Sequence, residues 1–213
     1  SQSSAASDVY KRQGNMMQDQ LLISGVLEHA IKTHPQTEIV SHTIEGEIHR
    51  YSIEDSSKRA KKLANALKKL EIKEGDILGT IALNGYRHYE LYFGISGIGA
   101  VLHTLNPRLF PEQVEYIVNH AEDKFIFVDL PFLPIVENVY ENIPDVKGII
   151  LLCEKSQMPA ETKVKNLICY EELIAEESDE IDWPEFDENT ASSLCYTSAV
   201  SYTHLTLPTI AKV

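Results

Sequence analysis

Apolar residues recur at helical spacing in two stretches near the start of the chain. Over 22–34, Leu22, Val26, Leu27, Ala30 and Ile31 fall on one face, which predicts a helix with Ser24 as its capping residue and Pro35 as its stop. Between 53 and 70, Ala60, Leu63, Ala64, Leu67 and Leu70 make a second apolar face, and Ser52-Ile53-Glu54-Asp55 ahead of it has the spacing of a capping box. Lys58, Arg59, Lys61, Lys62, Lys68 and Lys69 cover the other side and read as a solvated face. Between these helices, 38–41 and 48–52 flank Glu45-Gly46-Glu47, a hairpin signal.

From Gly75 the pattern alternates. Strands are expected at 77–83, 100–105, 125–129 and 146–153, and helices at 88–98, 111–121 (with Pro111 at its first position) and 133–142. The unbroken apolar runs Phe125-Ile126-Phe127-Val128 and Ile149-Ile150-Leu151-Leu152 suit strands covered on both faces. Strands alternating with helices mean βαβ units, hence an α/β fold with a parallel sheet flanked by helices and right-handed connections. Gly94, Gly97 and Gly99 are expected to let a helix pack closely on that sheet. A loop at 158–165, a short helix at 170–175 and an acidic linker over 171–188, around Trp183-Pro184, lead to a last strand in 190–198.

Composition narrows the class. With 213 residues the chain accommodates one large α/β domain, or one domain and a piece of the next. No apolar run approaches the roughly 20 residues that span a bilayer, and the first residues carry no signal-like apolar region. Cys153, Cys169 and Cys195 are odd in number and lack a CxxC pair, which fits reduced thiols in a cytoplasmic protein. A net charge of −13 argues against nucleic-acid binding. His29, His34, His42, His49 and His120 show no metal-ligand spacing. Polar, aperiodic 1–13 and Thr-rich 199–213 resemble translated adaptor sequence, and both are expected to be foreign or disordered tails.

In an open α/β sheet, chemistry sits at the carboxyl ends of the strands. Three ends qualify: Asn84-Gly85, the stretch from His103 to Arg108, and Tyr196-Thr197-Ser198. His103 reads as a structural histidine, because no Asp or Glu is adjacent in sequence to orient it. Asn106-Pro107 reads as a turn device. The stretch 190–198 reads as a strand entering a small-residue turn, the way a phosphate-cradling loop begins. Ala199, Val200 and Ser201 then stand where glycines would be needed, so the loop reads as truncated.

Leu194-Cys195-Tyr196-Thr197-Ser198 resembles the opening of the YTSGTTGxPKG loop of the adenylate-forming acyl-CoA synthetase superfamily. Residues 84–93, 99–113, 119–123 and 127–129 are similar to its medium- and long-chain fatty-acyl-CoA ligase branch, which includes ligases for 3-(methylthio)propionate; 21–24 and 132–136 fit the latter as well. The resemblance covers 16–198. It implies that 14–185 is the first subdomain of the large N-terminal domain of such an enzyme and that 186–198 opens the second subdomain and its phosphate loop. Leu194 and Cys195 would then have few partners. It also implies a reaction of a carboxylate with ATP and coenzyme A, with Mg²⁺ screening the triphosphate and room for a homodimer of the full-length enzyme. By the same resemblance Thr197 would contact phosphate or Mg²⁺, and Ser198 would line the loop. The missing glycines, lysine and downstream motifs imply that the chain itself is inactive. The residues alone leave open a stand-alone, non-catalytic α/β module that binds a nucleotide or acyl group.

Overall fold

The computed structural model describes residues 19–196 and the backbone of 204–206. Helix α1 (Ile23–Thr33) precedes a two-stranded antiparallel sheet of β1 (Glu38–His42) and β2 (Ile48–Ser52). Ser24 does not cap α1: the N-cap is Leu22, and Ser24 is buried inside the helix. Helix α2 (Ile53–Lys69) does open with the capping box, the Ser52 hydroxyl accepting from the Asp55 N–H at 3.1 Å and the Ser52 N–H donating to Asp55 Oδ2 at 3.3 Å.

The main sheet has β3 (Ile77–Ile81), β4 (Val101–Thr104), β5 (Phe125–Val128), β6 (Gly148–Leu151), β7 (Leu167–Cys169), β8 (Ala191–Cys195) and β9 (His204–Thr206), in the order β7-β6-β5-β3-β4-β8-β9. All neighbours pair in parallel except β8 and β9. Progress along the sheet reverses after β4. A constant crossover hand then puts α3 (Tyr86–Ser96) on one face and α4 (Pro111–Ala121) with α5 (Leu133–Val139) on the other. Two cores result. One packs α2, α3 and α6 (Tyr170–Ala175) on Leu78, Leu102, Phe127 and Ile150; the other packs α4 and α5 on Ile81, Ile126, Ile149 and Leu151.

The structure corrects several expectations. Strand β7, three residues long, falls where the sequence gives no alternation to read. Helix α3 begins at Tyr86, two residues early, because Gly85 serves as its N-cap. Gly94 packs α3 on α2 rather than on the sheet, since a Cβ there would meet Leu63 Cδ2 at 2.6 Å, and Gly97 makes room for the Trp183 ring. Leu194 has partners: β8 pairs with β4, placing Leu194 opposite His103, and Leu194 packs on Val101 and Ala121. The acidic linker is anchored at both ends: Trp183 packs on the first core and Glu171 is tied to two arginines.

Candidate functional site

At the β8 end, Tyr196 leaves the sheet with its hydroxyl hydrogen-bonded to His120 of α4 and its ring 5.2 Å from that of His103. His103 lies inside β4 and is wholly buried, not at the rim. Its Nδ1–H donates to the Asp123 carboxylate, 2.9 Å from Oδ2 and 3.0 Å from Oδ1. The orienting acid that the local sequence lacks thus comes from the turn after α4, 20 residues on. Gly79 on β3 makes space for it, because a Cβ there would stand 3.0 Å from Asp123 Oδ2. Burial pushes the Asp123 carboxyl up, against the pull of His103. His103 Nε2 is buried with no partner among the described residues. The pair is sealed from solvent and sits behind the Tyr196 ring.

At the β3 end the β1–β2 hairpin covers the start of α3. Asp129, just after β5, accepts a hydrogen bond from the Leu83 N–H at 2.7 Å. Burial pushes its carboxyl up to about 6, although that N–H and Arg87 pull it down. Of the strand-end residues named from sequence, Asn84 and Gly85 line a cavity of about 310 Å³ here. Asn106 is the expected turn device, its Oδ1 accepting from the Arg108 N–H at 3.0 Å.

Under α2, α3 and α6, on the β6 and β7 side of β3, runs a network of charges. Arg59 Nε donates to Glu90 at 2.7 Å while its two terminal nitrogens grip Glu171 at 2.8 and 2.9 Å. Arg87 Nε reaches the same Glu171 at 2.8 Å, and the Tyr170 hydroxyl donates to Glu90 at 2.7 Å. Burial pushes Glu90 up against the pull of Arg59 and Tyr170; Glu171 feels the same burial, yet the two guanidinium groups hold it below the usual carboxylate range. Arg59 therefore belongs to the interior and not to the solvated face, whose lysines do find surface partners such as Glu54 for Lys58. Its position four residues before the buried Leu63, beside the apolar stripe, was the available signal.

Thr197 and Ser198 lie outside the described residues, and so do Ala199, Val200 and Ser201. Among the described residues no three His, Cys, Asp or Glu side chains come together as a metal site. The residues that the resemblance assigns to phosphate and Mg²⁺ are thus not among the described ones. No helix among the described residues is long and apolar enough to cross a membrane.

The family model described as "AMP-binding enzyme" matches residues 27–199. A medium-chain-fatty-acid–CoA ligase of Ectopseudomonas oleovorans is 44% identical over 188 residues, which cover 88% of this chain and 34% of the ligase. A 3-methylmercaptopropionyl-CoA ligase of Ruegeria lacuscaerulensis is also 44% identical over 188 residues, with 88% and 35% covered. The chain thus spans about a third of the length of the curated relatives it matches. Among solved structures, an anthranilate CoA ligase in complex with anthranoyl-AMP superposes with a TM-score of 0.75 at 21% identity, covering 88% of this chain and 34% of its own; the fold is shared.

Proposed function

The chain belongs to the AMP-binding enzyme family, and from that membership we propose that it is the amino-terminal part of an ATP-dependent acyl-CoA ligase of the fatty-acid branch. The observation that carries the proposal is the 44% identity over 188 residues, continuous across both cores. In such a ligase ATP activates a carboxylate as its adenylate, and the coenzyme A thiol then displaces AMP. On this reading the chain contributes the scaffold: a sheet that holds β8 in register, and a His120–Tyr196 bond at the point where the phosphate loop would leave it. Thr197 and Ser198 would begin that loop, Thr197 towards phosphate or Mg²⁺. On the same reading the enzyme works in the cytoplasm, and the net charge of −13 on this chain argues against nucleic-acid binding.

The 213-residue polypeptide itself should form no acyl-adenylate. A triphosphate cradle needs consecutive backbone N–H groups, which glycines permit, and Val200 is β-branched and costly wherever φ must be positive. The test joins residues 14–198 to the remaining two thirds of the Ectopseudomonas ligase. Pyrophosphate exchange with octanoate, palmitate and 3-(methylthio)propionate should appear in the fusion and stay at background in the chain alone. A folded fusion without exchange on any of the three would overturn the assignment.

A second reading, a stand-alone non-catalytic binding module, draws on β9, whose backbone closes the sheet against β8. Such a module would bind ATP or an acyl group without help from the added two thirds, and equilibrium dialysis of the unfused chain distinguishes the two.

A further inference from the structure

Three sulfur atoms meet at the carboxyl ends of β6 and β7, with β5 between them and the β3 and β8 ends described above. Cys153 follows β6, Cys169 closes β7, and Met158 caps the 3₁₀ turn Lys155–Gln157 in the loop that joins the two strands. Both cysteines are buried and free, and Met158 is half-buried. The turn above them exposes Glu154, Lys155 and Ser156 to solvent.

The sulfurs face one another. The Cys153 thiol donates to the Met158 thioether, Sγ to Sδ 3.7 Å, and lies within hydrogen-bonding reach of the Cys169 thiol. Cys169 Sγ in turn stands 3.3 Å from the Cys153 carbonyl oxygen, which accepts from it. A thiol is a weak donor and a thioether a weak acceptor, so these contacts do little to hold the group together. The loop does that. The Glu154 N–H donates to Gln157 Oε1 at 2.9 Å and the Met158 N–H to the Lys155 carbonyl at 3.3 Å, which folds Met158 back over Cys153.

We propose that Cys153, Met158 and Cys169 form a three-sulfur site for a soft monovalent metal ion of the copper(I) type. Two thiolates and a thioether are the donors such an ion selects over oxygen ligands. The third ligand is a thioether, which sets the cluster apart from the His, Cys, Asp and Glu groupings absent above. The spacing also fits. A metal at about 2.3 Å from each of two sulfurs, the metal–thiolate distance of zinc centres, subtends about 107° across the 3.7 Å gap. A three-coordinate ion therefore enters with little movement of the chain. Binding replaces two S–H bonds with two metal–sulfur bonds and releases both protons to solvent, with no change in the oxidation state of metal or sulfur. Zinc is disfavoured because its structural sites take four ligands, and magnesium because it takes oxygen. Nothing in the site depends on the ligase chemistry.

The test titrates the reduced 213-residue chain with copper(I), free of oxygen, in competition with a chromophoric copper(I) chelator. The chain should take up one equivalent and release two protons, and a roughly tenfold excess of zinc should not displace the ion. Stripping the metal with excess chelator should return all three free thiols. Loss of an outer-shell partner typically costs 10–100-fold in metal affinity, so Cys153→Ser and Cys169→Ser should each cost at least about 100-fold. Met158→Leu conserves volume, keeps the circular dichroism spectrum, and should weaken binding about tenfold. Cys195→Ser should change nothing. Should a serine variant unfold, Met158→Leu decides. Failure to take up one equivalent would overturn the proposal. So would uptake that survives both serine variants, affinity indifferent to Met158→Leu, or thiols consumed as a disulfide during the titration.

Discussion

Strands β6 and β8 belong to one parallel sheet and are built in opposite ways. All four residues of β6 are buried, β5 and β7 pair on either side, and helices cover both faces. In β8 only Leu194 is buried; β4 pairs with it in parallel on one side and the three-residue β9 antiparallel on the other. The difference separates two tasks. The region around β3, β5 and β6 is a closed scaffold whose buried charges are mutually satisfied, as in Arg59, Glu90 and Glu171. The β8 side is thinner, and in the function proposed above it is the side where the phosphate loop would begin.

The largest effect should come from breaking the scaffold's charge network. Arg59→Ala leaves the fully buried Glu90 carboxylate without its main partner and should cost about 3–5 kcal/mol in urea unfolding. A loss under about 1 kcal/mol would place the network outside the scaffold. The same contrast can be drawn with apolar side chains. Phe127→Ala should cost about 3–5 kcal/mol, whereas Leu194→Ala, at the thin edge, should cost about 2. Equal losses would erase the distinction between the two regions.

Asp129 sharpens the comparison through pH. Its folded-state value of about 6 lies above the ordinary 3.8, so the folded chain holds a proton that the unfolded chain releases. The stability this contributes is complete below 3.8, declines as pH rises towards 6, and is absent above that. Asp129→Asn should remove this slope and gain up to about 3 kcal/mol over the parent at neutral pH relative to pH 4. A parallel pair of stability curves for variant and parent would contradict the buried, partly protonated carboxyl.

The smallest effect is chemical. Cys153 is buried and its thiol is pushed up to about 12 by burial and by neighbouring Cys169, while Cys195 on β8 is only half-buried. Iodoacetamide under native conditions should label Cys195 first and leave Cys153 and Cys169 intact. Labelling of Cys153 at a rate matching Cys195 would show the scaffold to be as open as the edge.

Much of the scaffold is legible in the sequence, because long amphipathic periods and apolar runs are local signals. The capping box at Ser52 and the helix at Tyr170–Ala175 stand where the residues place them. What escapes is non-local. Asp123 reaches His103 only once α4 folds back beside β4, and the space for it depends on the absence of a side chain at Gly79 on a third strand. Arg59 turns inward because Glu171 arrives from the far end of the chain. The loop itself is legible up to Ser198 by resemblance, while Thr197 and Ser198 fall outside the described residues.

Hydrogen exchange of the intact 213-residue chain, read by mass spectrometry, tests the contrast between scaffold and edge most directly. The account predicts slow exchange over Phe125–Val128 and Gly148–Leu151, opening only with global unfolding, and fast exchange over Ala191–Cys195. Protection of Ala191–Cys195 equal to that of β5 and β6 would contradict it.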